Sequence, residues 1–505
     1  MFARFSGRRS PQPSEKYEKR LRWGTVSAQR FSPTKKQKGK VITMEESIRS
    51  KIMDQIEENG AVIDAANNAI WEFAETALKE ERSSTYLKQL LAQNGFRILP
   101  GAAGVPTSFI AEWGAGTPVI GLLAEYDALA GLSQERSTIC RPLRSGAPGH
   151  ACGHCTLGAA VLGAALSLKT VMEQEGLSGT LRFYGCPAEE TIEGKVLMSR
   201  DHLFDDCDAA LSWHPNDISY VWARKSVALR SMKFVFHGRS AHAGLDPWNG
   251  RSALDAVELM NVGANYLREH VQPSCRIQYV ITDGGEAPNI VPVRAEVWYA
   301  FRAPERTLVD ELHKRLVNIA KGAALMTETE YEEAFISGCY DFLPNMTLSE
   351  AILKHMREVG APAWTDDDRI FARELYRQIP ESNRESTFLS FSLNDGDVTD
   401  GLVNGIYNGY YRNGAMGAAT DLGDVSWQIP VGCFSYASTV VGAPGHSWFY
   451  TAACGTGIGV RGAHAAAKVL ALTGWDLLTD EALLSKVKRE HAKSTLGRPY
   501  VCPLK

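Results

Sequence analysis

Between Pro118 and Pro215 the chain reads PVIGLLAEYD (Pro118–Asp127), TLGAAVLGAALSLKTVM (Thr156–Met172), LRFYGCPAEE (Leu181–Glu190) and DAALSWHP (Asp208–Pro215). The first, third and fourth stretches are short apolar runs that end in polar residues, which is how buried strands read. The second is helix-like. Strands alternating with a helix predict an α/β fold whose catalytic domain has a mostly parallel sheet flanked by helices. In such sheets ligands bind beyond the carboxyl ends of the strands, and that is where the polar residues gather here.

Working outward, Glu45 to Asn94 carries apolar residues at helical spacing and predicts two or more amphipathic helices, with Gly95 as a stop. Downstream, SVALRSMKFVFHG, GRSALDAVELMNVGANYLREHV, SCRIQYVITDGG, RAEVWYAFRAP, RTLVDELHKRLVNIAKGAAL and TETEYEEAFIS read as strand, helix, strand, strand, helix, strand. The order βαββαβ is a ferredoxin-like module. It interrupts the first domain, because helix and strand material resumes at MTLSEAILKHMREVG. The expected organisation is a basic extension (1–43), a catalytic domain in two parts (44–220 and 339–490), an inserted lid or dimerisation domain (221–338) and a C-terminal tail (491–505).

With 505 residues, 44% hydrophobic and 22% charged, the chain has the composition of a large soluble enzyme, and the collagen-like and wholly disordered classes are excluded. Its longest uncharged stretch, Val425 to Val460, is broken by Pro430, Gly432, Pro444 and Gly445, so it reads as strands and tight loops rather than a membrane span. The net charge of −4 is uneven. Residues 1–40 hold twelve Lys and Arg against Glu15 and Glu18, which leaves the remaining body at −14. An acidic body does not suit nucleic acid. The basic head lacks helical periodicity and is expected to be disordered. Three readings fit it: a start upstream of the native one, with Met44 opening the folded protein; an Arg-rich mitochondrial-type leader; or a solvated tail. The expected location is cytoplasmic, or mitochondrial if the head is a leader. Ten thinly spread cysteines without a secretory signal argue against a disulfide framework.

Four pieces carry chemistry: GHACGHC (Gly149–Cys155), the pair Glu189–Glu190 at a strand end, His214 at another, and His446 within GAPGHSW. Cysteine, histidine and carboxylate are the ligand set of zinc-like metals. Each piece alone has an ordinary explanation, but three of them fall at predicted strand ends of one domain. Neighbouring residues on an extended segment point in different directions. One glutamate can therefore bind a metal while the other takes a proton from the attacking water, an arrangement suited to amide hydrolysis.

These residues resemble the aminoacylase/carboxypeptidase-type dinuclear metallohydrolases, in the branch of p-aminobenzoyl-glutamate hydrolase and the auxin–amino-acid conjugate hydrolases. The resemblance spans roughly Ser47 to Glu490 and rests on AEYDALAGLSQ, GHACGHC, PAEE, GRSAHAG, GGEAPNIVP, DLGDVSW and GAPGHSW. It implies that Cys152, His154, Glu190, His214 and His446 bind two divalent ions, zinc or manganese, with Glu189 as general base. It further implies that Asp127, with Glu125 and His150, orients the ligands, that His242 polarises the scissile carbonyl, and that Asn289 and Arg302 hold a substrate with a carboxylate. Such modules pair through an edge strand and helix, so a homodimer is implied, with His242 acting across it. Cys155 departs from the pattern, which usually has Asp or Asn there.

Two rivals are a Cys152–His154 nucleophile, permitted because residues two apart on an extended segment share a face, and a non-catalytic binding protein on the same scaffold. The first leaves Glu190, His214 and His446 without a role. The second sits poorly with an intact Glu189.

Overall fold

The structure, a computed structural model, describes residues 44–409 and 416–504. The expected basic extension, 1–43, lies outside the described residues.

Three helices open the fold: α1 (Met44–Glu58), α2 (Gly60–Phe73) and α3 (Glu81–Gln93), and just past them Gly95 has φ of +83°. Then follow β1 (Arg97–Pro100), β2 (Phe109–Ala115), β3 (Val119–Glu125), α4 (His154–Glu175), β4 (Gly179–Cys186), α5 (Gly194–Arg200), β5 (Ala209–Asn216) and β6 (Ser219–Val221). The inserted module consists of β7 (Ala228–His237), α6 (Ala253–Leu267), β8 (Arg276–Asp283), β9 (Arg294–Ala303), α7 (Arg306–Thr327) and β10 (Glu330–Cys339). The chain continues with α8 (Met346–Val359), α9 (Asp366–Tyr376), α10 (Glu381–Phe391), the short strands β11 (Val398–Thr399), β12 (Leu402–Val403) and β13 (Ile406–Tyr407), then α11 (Leu422–Gln428) and β14 (Val431–Ala437). It ends with α12 (Trp448–Cys454), α13 (Gly457–Thr479) and α14 (Glu481–Ser494). The expected tail boundary at 490 falls inside α14.

The larger sheet runs β1-β2-β4-β3-β5-β14-β6-β13. Its centre, β4-β3-β5-β14, is parallel, whereas the β1–β2, β2–β4 and β14–β6 pairings are antiparallel. The sheet is therefore mixed, with the expected parallel core. Parallel neighbours need a crossover of a dozen or more residues. The chain reverses where its links are short, between β1 and β2, β2 and β3, and β5 and β6.

The continuous apolar run of β3 follows from burial on both faces. Ile120, Leu122 and Ala124 join the cluster built on α4 and α13, and Val119 and Leu123 join a separate cluster on the opposite face. Helix α4 is long and apolar enough to cross a membrane, but 89% of its most apolar window is buried inside the protein, as in a core helix.

The second sheet, β10-β7-β9-β8, is antiparallel throughout. It packs α6 and α7 through Val257, Met260, Leu312 and Leu316, a core of its own. This is the ferredoxin-like arrangement expected of the sequence.

Candidate functional site

The carboxyl ends of β3, β4 and β5 meet the start of α4. Glu125 ends β3, with Asp127 two residues on; Glu189 and Glu190 follow β4; His214 lies near the end of β5; and His154 opens α4. The turn into α4 depends on Gly153. Its φ is +87°, and a Cβ there would stand 2.7 Å from Pro215 Cγ and 3.0 Å from Cys454 Sγ. Only glycine tolerates both conditions. His446 reaches the site from the loop before α12 at φ of +54°.

Two of the expected histidine ligands have one ring nitrogen occupied. His154 Nδ1 lies 2.8 Å from Asp127 Oδ1, and His214 Nδ1 donates to Pro215 O at 2.8 Å. Their Nε2 atoms are thus left facing the site, as metal-binding imidazoles require. Cys152 Sγ is 3.4 Å from His214 Nε2, and Glu190 Oε2 is 3.5 Å from His446 Nε2. His154 Nε2 is 3.3 Å from Glu125 Oε2 and 3.9 Å from Glu189 Oε2. Three groups offer ligand atoms mutually within 4.8 Å: Cys152/His154/His214, Cys152/Glu190/His446 and Glu125/His154/Glu189. Cys152 and His154 each belong to two of them.

The donors fit divalent cations on a second count. His154 Nε2, Glu190 Oε1 and Glu125 Oε2 are buried atoms without a hydrogen-bond partner. Leaving such groups bare is costly, and a bound cation would satisfy them. Burial pushes the Glu189 carboxyl well above the usual range, reinforced by Glu125 and Asp421, and pushes Glu190 up to about 7. His214 is pushed down to about 4 by burial and by His154. A cation placed here would draw both carboxyls back down and hold His214 neutral more firmly still.

The ligand cluster opens into a cavity of about 570 Å³, also lined by Trp222, Arg224, Arg302 and Phe391. Arg302, on β9, lines this cavity with a buried Nε that lacks a hydrogen-bond partner. The structure therefore brings Cys152, His154, Glu189, Glu190, His214, His446 and Arg302 together. Asp127 stands behind them, fully buried, 2.8 Å from His154 Nδ1 and accepting from the Glu190 N–H at 2.9 Å, an arrangement suited to orienting the ligands.

His242 and Asn289 do not line the cavity. They lie together on the inserted module, where the Ala243 N–H donates to Asn289 O at 3.0 Å; both residues are exposed. His150 turns away from the ligands: its Nε2 donates to Ile70 O at 2.9 Å, tying GHACGHC to α2. Cys155 is buried in the apolar cluster around α4 and belongs to none of the ligand groups, which explains why a thiol is tolerated there.

Sequence reasoning missed Arg224, Glu80, Lys195 and the partnership of Lys195 with Asp421. Arg224 and Lys195 carry no motif. Glu80 precedes α3, and its Oε1 accepts from the Leu78 and Ala188 N–H groups, bracing the PAEE turn from a distant segment.

Residues 226–327 match the peptidase dimerisation domain. The chain is 40% identical over 454 residues to a p-aminobenzoyl-glutamate hydrolase subunit of Escherichia coli (strain K12), covering 86% of this chain and 93% of that protein. It is 27% identical to the Xaa-Arg dipeptidase of Mus musculus, covering 88% and 92%. Its fold matches that of a Bacillus subtilis dinuclear metal-binding peptidase of the M20 family, with a TM-score of 0.51 at 15% identity over 84% of this chain and 98% of that one.

Proposed function

This chain belongs to the M20 peptidase family and is an amidohydrolase, and from that premise we propose that it cleaves N-acyl or N-aroyl amino acids bearing a free carboxylate, with p-aminobenzoyl-glutamate as the first candidate. The observation that carries this reading is the convergence of Cys152, His154, Glu190, His214 and His446 on one cavity, with buried donor atoms left unpartnered and Glu189 beside them. These five residues would hold two cations, zinc or manganese. Such ions supply Lewis-acid polarisation of the carbonyl and lower the pKa of water.

The chain's own groups do the rest. Glu189 takes the proton of the attacking water and returns it to the leaving amine. Asp127 holds the His154 ring in the tautomer that frees Nε2. Arg302 binds the substrate carboxylate, for which a planar guanidinium fork is well shaped, and Arg224 offers a second cation in the same cavity. The aromatic walls, Trp222 and Phe391, suit an aroyl group.

His242 and Asn289 act from a second copy of the chain. Their position away from their own cavity favours this, as does the uncovered apolar surface of the module: Tyr266 is 72% exposed, Val280 53% and Val262 47%. Large exposed apolar patches mark interaction surfaces.

The test is a screen of N-acyl amino acids and dipeptides with metal-reconstituted protein, following release of free amine. Hydrolysis that a chelator abolishes and added metal restores is expected. Hydrolysis indifferent to chelation would favour the rival Cys152–His154 nucleophile. The Escherichia coli relative is named as one subunit of its hydrolase, so sizing the protein with and without co-expressed chains distinguishes a homodimer from a mixed assembly.

A further inference from the structure

A second charged group adjoins the ligand cluster and takes no part in the proton transfers assigned to Glu189. Lys195, on α5, is fully buried; its Nζ lies 2.8 Å from Glu125 Oε1 and 2.5 Å from Asp421 Oδ1. Its backbone N–H donates to Asp421 Oδ2 at 2.8 Å, so Asp421 grips both the main chain and the side chain of this residue. The other Glu125 oxygen, Oε2, has no hydrogen-bond partner and is 3.3 Å from His154 Nε2.

Lysine is almost never fully buried unless paired. A buried ion pair is also weak ground for stability, because desolvation offsets the Coulomb attraction. Stability alone is therefore a poor account of this group, and its geometry suggests another. Three segments distant in sequence (the end of β3, α5 and the turn into α11) converge so that one carboxylate faces the ring nitrogen that must meet a cation. Asp127 holds the opposite side of the same ring. Glu125, His154 and Glu189 together offer three ligand atoms within 4.8 Å of one another. Without the ammonium, Glu125 and Glu189 would repel each other across this space.

We propose that Lys195 is a positioning residue: clamped by Asp421, it holds Glu125 against the Nε2 face of His154 and thereby sets how tightly the cation at His154 is retained. This rests on the two-cation reading of the site and gives a role to residues that reading leaves idle.

The test is metal retention in full-length protein. After equilibration with zinc and a competing chelator, zinc per chain is measured by elemental analysis for the wild type, Lys195→Met, Glu125→Gln and the double variant. Loss of an outer-shell partner typically weakens metal affinity about 10- to 100-fold, so Lys195→Met should lose one of two ions at chelator concentrations the wild type withstands. The double variant should be no weaker than Glu125→Gln alone, because Lys195 acts through Glu125. Wild-type retention in Lys195→Met, or losses that multiply in the double variant, would overturn the proposal. If Lys195→Met fails to fold, the charge-neutral pair Lys195→Met/Asp421→Asn, which leaves Glu125 in place, decides. A folded pair with weakened zinc retention supports the positioning role, and a folded pair with wild-type retention refutes it. Wild-type protein that binds no zinc at all would fail the two-cation reading itself, an outcome distinct from failure of the clamp alone.

Discussion

Glu189 and Glu190 are neighbours in sequence, yet one faces His154 and the other His446. That divergence would let one act on protons while the other binds metal, as proposed. Glu189→Gln is accordingly expected to keep metal content at the wild-type level while lowering turnover by about 100-fold or more; near-normal turnover with metal bound would remove Glu189 from the base role. Cys152→Ser should lower metal content on elemental analysis, since a neutral hydroxyl replaces a thiolate shared by two ligand groups. Glu80 offers a test by pH. Burial and the nearby Asp127 raise its carboxyl from 4.5 to about 7. A carboxyl raised in the folded state binds its proton more tightly there than in the unfolded chain. Its contribution to stability is therefore complete below about pH 4.5 and is lost as pH rises toward about 7. In chelated protein, Glu80→Gln should flatten that loss, worth roughly 3 kcal/mol across the window. Parallel denaturant curves for the two proteins at pH 5 and pH 7.5 would show the coupling absent if their difference stayed constant.

At the scale of elements, the site is a product of strand ends. The parallel centre of the sheet points three carboxyl ends at one place, and α4 begins there because Gly153 permits the turn that ends GHACGHC. A methyl at this position meets both Pro215 and Cys454 and must also occupy φ of +87°. Gly153→Ala is therefore expected to cost about 1–3 kcal/mol in stability. It should also lower metal content, because Cys152 and His154 flank the displaced turn. A variant with unchanged melting temperature and full metal would show that the turn adapts. The same element logic explains the mixed sheet. The alternation of strand and helix was legible, but the outer strands reverse where links are too short for a crossover, and local pattern does not reveal which strand a short one will pair with.

At the scale of the whole molecule, the cavity gathers the candidate metal ligands and Arg302 but lacks His242 and Asn289, which sit on the inserted module. If a second copy supplies them, an inactive Glu189→Gln chain mixed with an inactive His242→Ala chain should regain activity. With two-fold symmetry and free exchange, about one quarter of the sites would be intact. No recovery after subunit exchange is confirmed would argue that His242 serves its own chain or none, and a fully active monomer would end the trans reading.

The amino-acid sequence by itself determined the α/β class, the ferredoxin-like insertion and the ligand types, because apolar periodicity and chemically committed residues such as Cys152, His154 and the Glu189–Glu190 pair are local signals. Only the tertiary structure decided that Cys155 and His150 serve packing and backbone contacts, that Arg224 shares the cavity with Arg302, and that Lys195 joins Glu125 to Asp421. Those roles depend on which distant segments become neighbours. Lys195 and Asp421 are 226 residues apart in the chain, and no pattern within either segment records a contact that exists only once the sheet has closed over its core.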